Sequence, residues 1–235
     1  MAISISVCII AKNEALQILS CLASVQEADE IIVVIDSASN DKTEELVRGK
    51  ATVFKRKFDN FAAQKNFALS KTKNDWGLSL DADEVMQKGW FRQTGFIDEK
   101  YSGYSMPRQN IIFGRAMRFT DWGPWDDAHV WLFNKHKAKF VGDVHEEVIV
   151  SGAIGKLSLG KIHQNYKSVE QFIDKMNQYT TLESKSKKLG WGYPLWKFVR
   201  HFFVHLGFLD GWHGLFISYL MGVYGLTTCI KSRLS

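Results

Sequence analysis

Trp76-Gly77-Leu78-Ser79-Leu80-Asp81-Ala82-Asp83-Glu84 is an apolar run that ends in Asp-x-Asp. Such a run reads as a buried strand whose last residues leave the sheet and turn two carboxylates toward one point. Side by side the carboxylates repel each other and call for a cation. A hard divalent ion satisfies them and keeps most of its coordination for water and phosphate oxygens. Acidic pairs at strand ends also serve as turn formers and helix N-caps, so the motif alone does not separate the two roles.

Upstream, Ile3 to Ile10 is β-branched and nearly all apolar, the pattern of a strand buried on both faces, and it stops at Ala11-Lys12-Asn13-Glu14. From Glu14 to Val25 the apolar residues Leu16, Leu19, Leu22, Ala23 and Val25 fall close to helical spacing. Glu30 to Ile35 predicts a second strand, ending in the polar loop Asp36-Ser37-Ala38-Ser39-Asn40-Asp41-Lys42-Thr43 that leads into a helix. Thr52 to Arg56 predicts a third strand, Phe61 to Ser70 a helix, and Trp76 to Leu80 the fourth strand. This alternation predicts an α/β fold with an open, mostly parallel sheet flanked by helices. Ligands bind such sheets at the carboxyl ends of the strands, where Asn13, Asp36, Asp41 and Asp81 to Asp83 fall. The chain has no Gly-x-Gly-x-x-Gly or Walker motif, so neither a dinucleotide site nor a P-loop is expected.

Beyond Gly103 the pattern changes to short β-like runs dense in Trp and Phe: Tyr104 to Arg108, Ile111 to Phe119, His129 to Phe133 and Lys139 to Val141. They predict a mixed or antiparallel extension of the sheet that walls a cleft. Val169, Phe172, Ile173, Met176, Tyr179 and Leu182 predict an amphipathic helix ending in Lys185, Lys187 and Lys188. The expected organisation is a sheet domain over residues 1–165 and a helical extension over residues 166–235.

A chain of 235 residues with 46% hydrophobic content is long enough for one well-buried domain with an appendage. Cys8, Cys21 and Cys229 lack metal-ligand or redox spacing and read as buried thiols in a reducing compartment. The N-terminus has no basic segment followed by a long apolar one, which predicts a cytoplasmic protein. The net charge of +5 points to an anionic partner. Nucleotide phosphates and an anionic membrane face fit better than nucleic acid, because the lysines gather near the tail and are not spread over an aromatic platform.

Ala11-Lys12-Asn13-Glu14, Asp36 to Thr43, Ala63-Gln64-Lys65-Asn66-Phe67-Ala68 and Leu80-Asp81-Ala82-Asp83-Glu84 resemble, in order and spacing, the family 2 inverting glycosyltransferases of GT-A fold. Val144-His145-Glu146, Lys161-Ile162-His163 and Phe208-Leu209-Asp210-Gly211 extend the resemblance to bacterial lipopolysaccharide core β-1,4-glucosyltransferases. The resemblance implies a nucleotide-sugar donor held by Asn13, Glu14, Asp36, Asp41, Lys65 and Asp81. It also implies Mg2+ or Mn2+ held by Asp83 with His163, and a saccharide acceptor that is lipid-linked. A loop histidine satisfied by backbone groups is the other reading of His163. Inverting transfer needs a base for the acceptor hydroxyl; the resemblance places it at Glu146, with Glu147 and the pair Asp126-Asp127 as rivals. Trp131 stands where related sequences commonly carry Arg; it cannot clamp a phosphate in bidentate fashion but can stack on a sugar face. Competing expectations are a sugar-phosphate nucleotidyltransferase, against which the absence of a Gly-rich loop counts, and a non-catalytic protein bound to the membrane surface.

In the tail, Gly211 to Ile230 carries no formal charge and is long enough to span a bilayer of roughly 30 Å, yet Gly211, His213, Gly214, Ser218, Gly222, Gly225, Thr227 and Thr228 lower its hydrophobicity. Trp191, Trp196 and Trp212 with Lys197, Arg200, Lys231 and Arg233 suit a helix pair lying at the headgroup level. Packing against the sheet domain or a second subunit is the alternative, the latter making an oligomer through these helices.

Overall fold

Continuous β-branched runs form strands at the centre of the fold because neither face of such a strand meets water. The computed structural model describes residues 3–142, 146–186 and 189–234. In chain order it contains β1 (Ile5–Ala11), α1 (Ile18–Ser24), β2 (Glu30–Asp36), α2 (Thr43–Val47), β3 (Thr52–Arg56), α3 (Phe61–Ser70), β4 (Trp76–Asp81) and β5 (Glu84–Met86). A 3-10 segment (Trp90–Phe96) precedes β6 (Gly103–Met106), β7 (Arg108–Ile112), β8 (Arg115–Ala116), β9 (His129–Asn134), β10 (Ala138–Val141), β11 (Glu147–Val150), β12 (Ile154–Lys156) and β13 (Lys161–Tyr166). Then come α4 (Val169–Ser186), α5 (Tyr193–Val199), a π turn (Arg200–Val204), a 3-10 turn (Gly207–Asp210) and α6 (Gly211–Leu234). Of the motifs read in the sequence, Val144, His145, Lys187 and Lys188 lie outside the described residues.

The chain divides into two compact units, Met1–Arg108 with Ala128–His163, and Gln109–Asp127 with Gln164–Ser235. In the first, the described residues form a seven-stranded sheet in the order β12-β6-β9-β4-β1-β2-β3. β1 is parallel to both β2 and β4, with Ala11 opposite Ile35 and Ile10 opposite Asp81. This register brings the loops that start at Lys12, Ser37 and Ala82 to the same edge. β9 turns the sheet mixed by running antiparallel to β4 and β6. Alternate residues of β1 face opposite layers: Val7 and Ile9 pack with Ile18, Cys21, Leu22 and Val25, and Cys8 packs with Ala62, Ala68, Leu69 and Phe133. Each such fully buried aliphatic side chain contributes about 1.5–3 kcal/mol. Cys8, Cys21 and Cys229 are buried free thiols, and burial pushes Cys8 up to about 12.

The first helix differs from its expected reading. Leu16 is 96% exposed and Leu19 42%, because Gln17 and Ile18 donate to Glu14 O in a turn and the helix begins only at Ile18. Ile18, Cys21, Leu22 and Val25 then fall at i, i+3, i+4 and i+7 and carry the buried stripe. The run Ile111 to Phe119 is likewise not one strand: the chain reverses at Phe113 and Gly114, both at positive φ, between β7 and β8.

The second unit gathers α4, α5 and α6 with the segment 109–127. Ile112 and Met117 pack with Phe172, Met176, Ile217, Leu220 and Met221. Gly214 lets α6 approach the preceding turn: a Cβ there would stand 1.8 Å from Gly207 O. Lys231 Nζ ties α6 to α4 through Asn177 O (2.8 Å) and Thr181 Oγ1 (2.7 Å). The helix through Gly207–Leu234 is long and apolar enough by composition to cross a membrane, but 44% of its apolar window is buried against protein.

Candidate active site

At the carboxyl edge of the sheet the loops after β1 and β2 are knitted together. Asn13 adopts a left-handed conformation that Asn tolerates, and its side-chain oxygen accepts from Asn40 N at 2.9 Å. Asp41 accepts from Ala15 N and from Thr43, whose hydroxyl holds the carboxyl below the usual range. These two residues therefore shape the loops. Asp36, at the end of β2, is buried; it accepts from Ala38 N (3.1 Å) and Phe58 N (3.3 Å) and pairs with Lys12 at 3.0 Å. The Ala38 amide is the main cause of its lowered pKa, with Lys12 and the Phe58 amide adding to it.

A cavity of about 420 Å³ opens beside this edge. Lys12, Glu14, Asp36, Phe58, Phe61, Gln64, Asp81 and Asp83 line it. The rings of Phe58 and Phe61 meet edge to face at 5.0 Å. They form an aromatic wall fit to take a planar base, and the Phe-x-x-Phe spacing that encloses the Asn60 helix cap is the signal that could have found them.

A second cavity, of about 670 Å³, is lined by Lys65, Asp81, Arg108, His129, Trp131, Glu146 and Glu147 among others. Asp81 thus borders both. α3 presents three consecutive side chains to this region. Gln64 accepts from Arg56 at 2.7 Å, Asn66 exchanges hydrogen bonds with the Phe140 backbone, and Lys65 reaches Glu146 at 2.8 Å and Asp81 at 3.0 Å. The Asp81 contact is an ion pair without hydrogen-bond alignment. Burial opposes the charge on Lys65, but the two carboxylates outweigh it and hold its pKa above the usual lysine value. Asp126-Asp127 belong to the other unit, where Asp127 accepts from Asn110 at 2.8 Å.

In the turn after β4, Asp83 Oδ2 lies 3.3 Å from His163 Nε2, and among the described residues the buried His163 Nδ1 has no hydrogen-bond partner. Among the described residues no three His, Cys, Asp or Glu side chains form a closed metal cage. One carboxylate beside one imidazole fits an ion that takes only one or two protein donors and fills the rest with phosphate and water, as Mg2+ and Mn2+ do.

Sequence reading missed what braces this turn. Glu84 is fully buried and accepts from Lys161 Nζ (2.7 Å) and from the Asp81 amide (3.0 Å), with Arg108 at 3.4 Å. Despite burial, Lys161, His163 and Arg108 hold Glu84 ionised below the usual range. Lys161 Nζ lies 3.6 Å from the centroid of the Trp131 ring, so the tryptophan caps a buried ion pair on one side and lines the second cavity on the other. The β13 backbone reaches this place because Gly160 packs on Pro107, whose carbonyl would stand 1.9 Å from a Cβ.

Residues 6–147 match Glycosyl transferase family 2. An uncharacterized glycosyltransferase of Rickettsia felis is 28% identical over 97% of this chain and 89% of its own length. The lipopolysaccharide core biosynthesis glycosyltransferase LpsC of Rhizobium meliloti is 27% identical over 97% of this chain and 91% of its own. In fold, S. aureus TarS superposes with a TM-score of 0.52 at 17% identity, over 88% of this chain and 45% of that one. The fold is of the GT-A type. With the family pattern covering more than half of its length, the chain belongs to glycosyl transferase family 2, and the protein is a glycosyltransferase.

Proposed function

We propose that the protein moves a hexose, glucose in the first instance, with inversion from a UDP-sugar to a saccharide of the lipopolysaccharide core or another envelope glycan. The observation that carries this reading is Asp81 standing between two cavities, one bordered by Asp36, Asp83 and an aromatic wall, the other by Glu146 and Trp131. The first suits a nucleotide: Phe58 and Phe61 for the base, Asp36 and Asp81 for ribose hydroxyls, Asp83 and His163 for a divalent ion. That ion, Mg2+ or Mn2+, would neutralise the charge on the departing diphosphate. The second suits a sugar acceptor, whose ring stacks on Trp131.

Glu146 takes the proton of the acceptor hydroxyl as its oxygen bonds to the anomeric carbon. The bond from that carbon to the diphosphate breaks from the opposite face, and the electron pair leaves with UDP. Lys65 keeps Glu146 and Asp81 at fixed places on either side of the reacting centre. The name of the LpsC relative supports the acceptor class. An acceptor of that kind is lipid-linked, and the basic, tryptophan-rich tail supports peripheral attachment to an anionic cytoplasmic membrane face.

Release of UDP from UDP-glucose in the presence of core oligosaccharide tests the reading. Glu146→Gln should lower the rate on the order of a hundred- to ten-thousand-fold with donor affinity nearly unchanged. If Glu147→Gln shows that pattern and Glu146→Gln does not, the base is misassigned.

A further inference from the structure

In the second unit the connection between α5 and α6 is not a polar turn. Phe203, Val204, Leu206, Phe208, Leu209 and Trp212, all within ten residues, are each between 42% and 71% exposed. Together they present apolar surface on the order of several hundred Å², the scale at which exposed patches mark interaction sites. The turn is held in shape from inside. Asp210 is buried and accepts from the amides of Arg118 (3.1 Å) and Phe119 (2.9 Å), Thr120 N donates to His205 O at 2.9 Å, and Gly214 seats against Gly207. Hydrophobic side chains on a braced turn stay in water only at a cost, since they have no freedom to fold inward.

Cations flank the patch. Arg115 and Arg118 are exposed, and Arg115 stands 3.5 Å from His213, next to Trp212. The acids nearest to it are engaged: Asp210 faces inward, and Asp121 pairs with Arg200 at 3.0 Å. Apolar tip and cationic collar together match the acyl boundary and the phosphate layer of an anionic leaflet.

We propose that the 203–212 turn is a membrane-insertion tip whose occupant is an anionic phospholipid surface, with Arg115 and Arg118 at phosphate level. This rests on the reading that the enzyme works at a membrane face. It departs from a spanning helix, because 44% of the apolar window of that helix is buried against protein, and it narrows the attachment to the braced turn, although α5 and α6 also expose Leu195, Trp196 and Tyr219.

Flotation of the full chain with phosphatidylcholine vesicles, with and without phosphatidylglycerol, tests the tip. The wild-type chain should float with the anionic vesicles. Phe203→Ser with Leu209→Ser should weaken partitioning on the order of tenfold or more, each loss being a large apolar group no longer buried in lipid. Leu195→Ser and Leu234→Ser, at exposed apolar positions away from the turn, should leave it unchanged. Wild-type-like binding by the tip variant overturns the tip while leaving membrane attachment standing. Absence of wild-type binding overturns both. A dimer in light scattering that the tip variant abolishes would make a second copy the occupant and overturn the proposal. UDP release on a soluble acceptor should survive in the tip variant, so loss of membrane binding is told apart from failure of the catalytic reading.

Discussion

Lys65 Nζ lies 2.8 Å from Glu146 Oε1 and 3.0 Å from Asp81 Oδ1, a buried cation joining the proposed base to the strand end that borders the Asp36 cavity. The two carboxylates reach this point from segments far apart in the chain, so their approach depends on the charge between them.

Replacing Lys65 with Met removes that charge and leaves two partly buried carboxylates facing each other. Because Asp81 and Glu146 are partly solvated, the loss is smaller than for a fully buried pair. Lys65→Met should lose most of kcat and unfold at a lower temperature, and Lys65→Arg should recover a measurable share of kcat with a near-normal donor KM. If Lys65→Met keeps full turnover, the bridge has no positioning role.

Asp36 ties the end of β2 to Lys12 and to the amides of Ala38 and Phe58, and these contacts lower its pKa in the folded state. A depressed carboxylate contributes stability that is complete above its unfolded value of about 4 and is lost as pH falls through the lower folded value. Urea unfolding followed from about pH 6 down to about pH 3 should therefore show a loss in the wild-type chain that is smaller in Asp36→Asn. Parallel curves for the two would contradict the assigned contacts.

Glu84 and Lys161 form a buried pair under the Asp81–Asp83 turn. Glu84→Gln alone should destabilise the chain by about 3–5 kcal/mol, since it leaves the buried Lys161, whose pKa burial already lowers, without the carboxylate that favours its charge. Glu84→Gln combined with Lys161→Met should recover part of that loss, a coupling read from the double-mutant cycle in urea. Additive costs would show that the two charges do not depend on each other.

Much of this fold is visible in the amino-acid order, and the reasons are local. β1, β2 and β4 are continuous apolar runs because both faces are covered, and Asp36 and Asp81 mark where each of β2 and β4 leaves the sheet. The helix after β1 is out of phase with its apolar count. Leu16 and Leu19 are apolar but exposed, and the buried stripe starts from Ile18. The Glu84–Lys161–Trp131 stack is invisible to periodicity, since a lysine in a strand reads as solvent-facing until its partner from a distant strand is known. The same holds for Lys65, whose position on α3 is legible while its role as a bridge depends on Glu146, eighty-one residues away.

The most direct measurement is calorimetric titration of UDP into the wild-type chain and Asp83→Asn, each with Mn2+ and with excess chelator. UDP should bind the wild-type chain with Mn2+, and either chelation or the isosteric Asp83→Asn change should weaken binding on the order of tenfold or more while the fold persists. UDP binding of equal strength in all four titrations would contradict a metal held by Asp83. No UDP binding in any of them would contradict the assignment of the Asp36 cavity to a nucleotide donor.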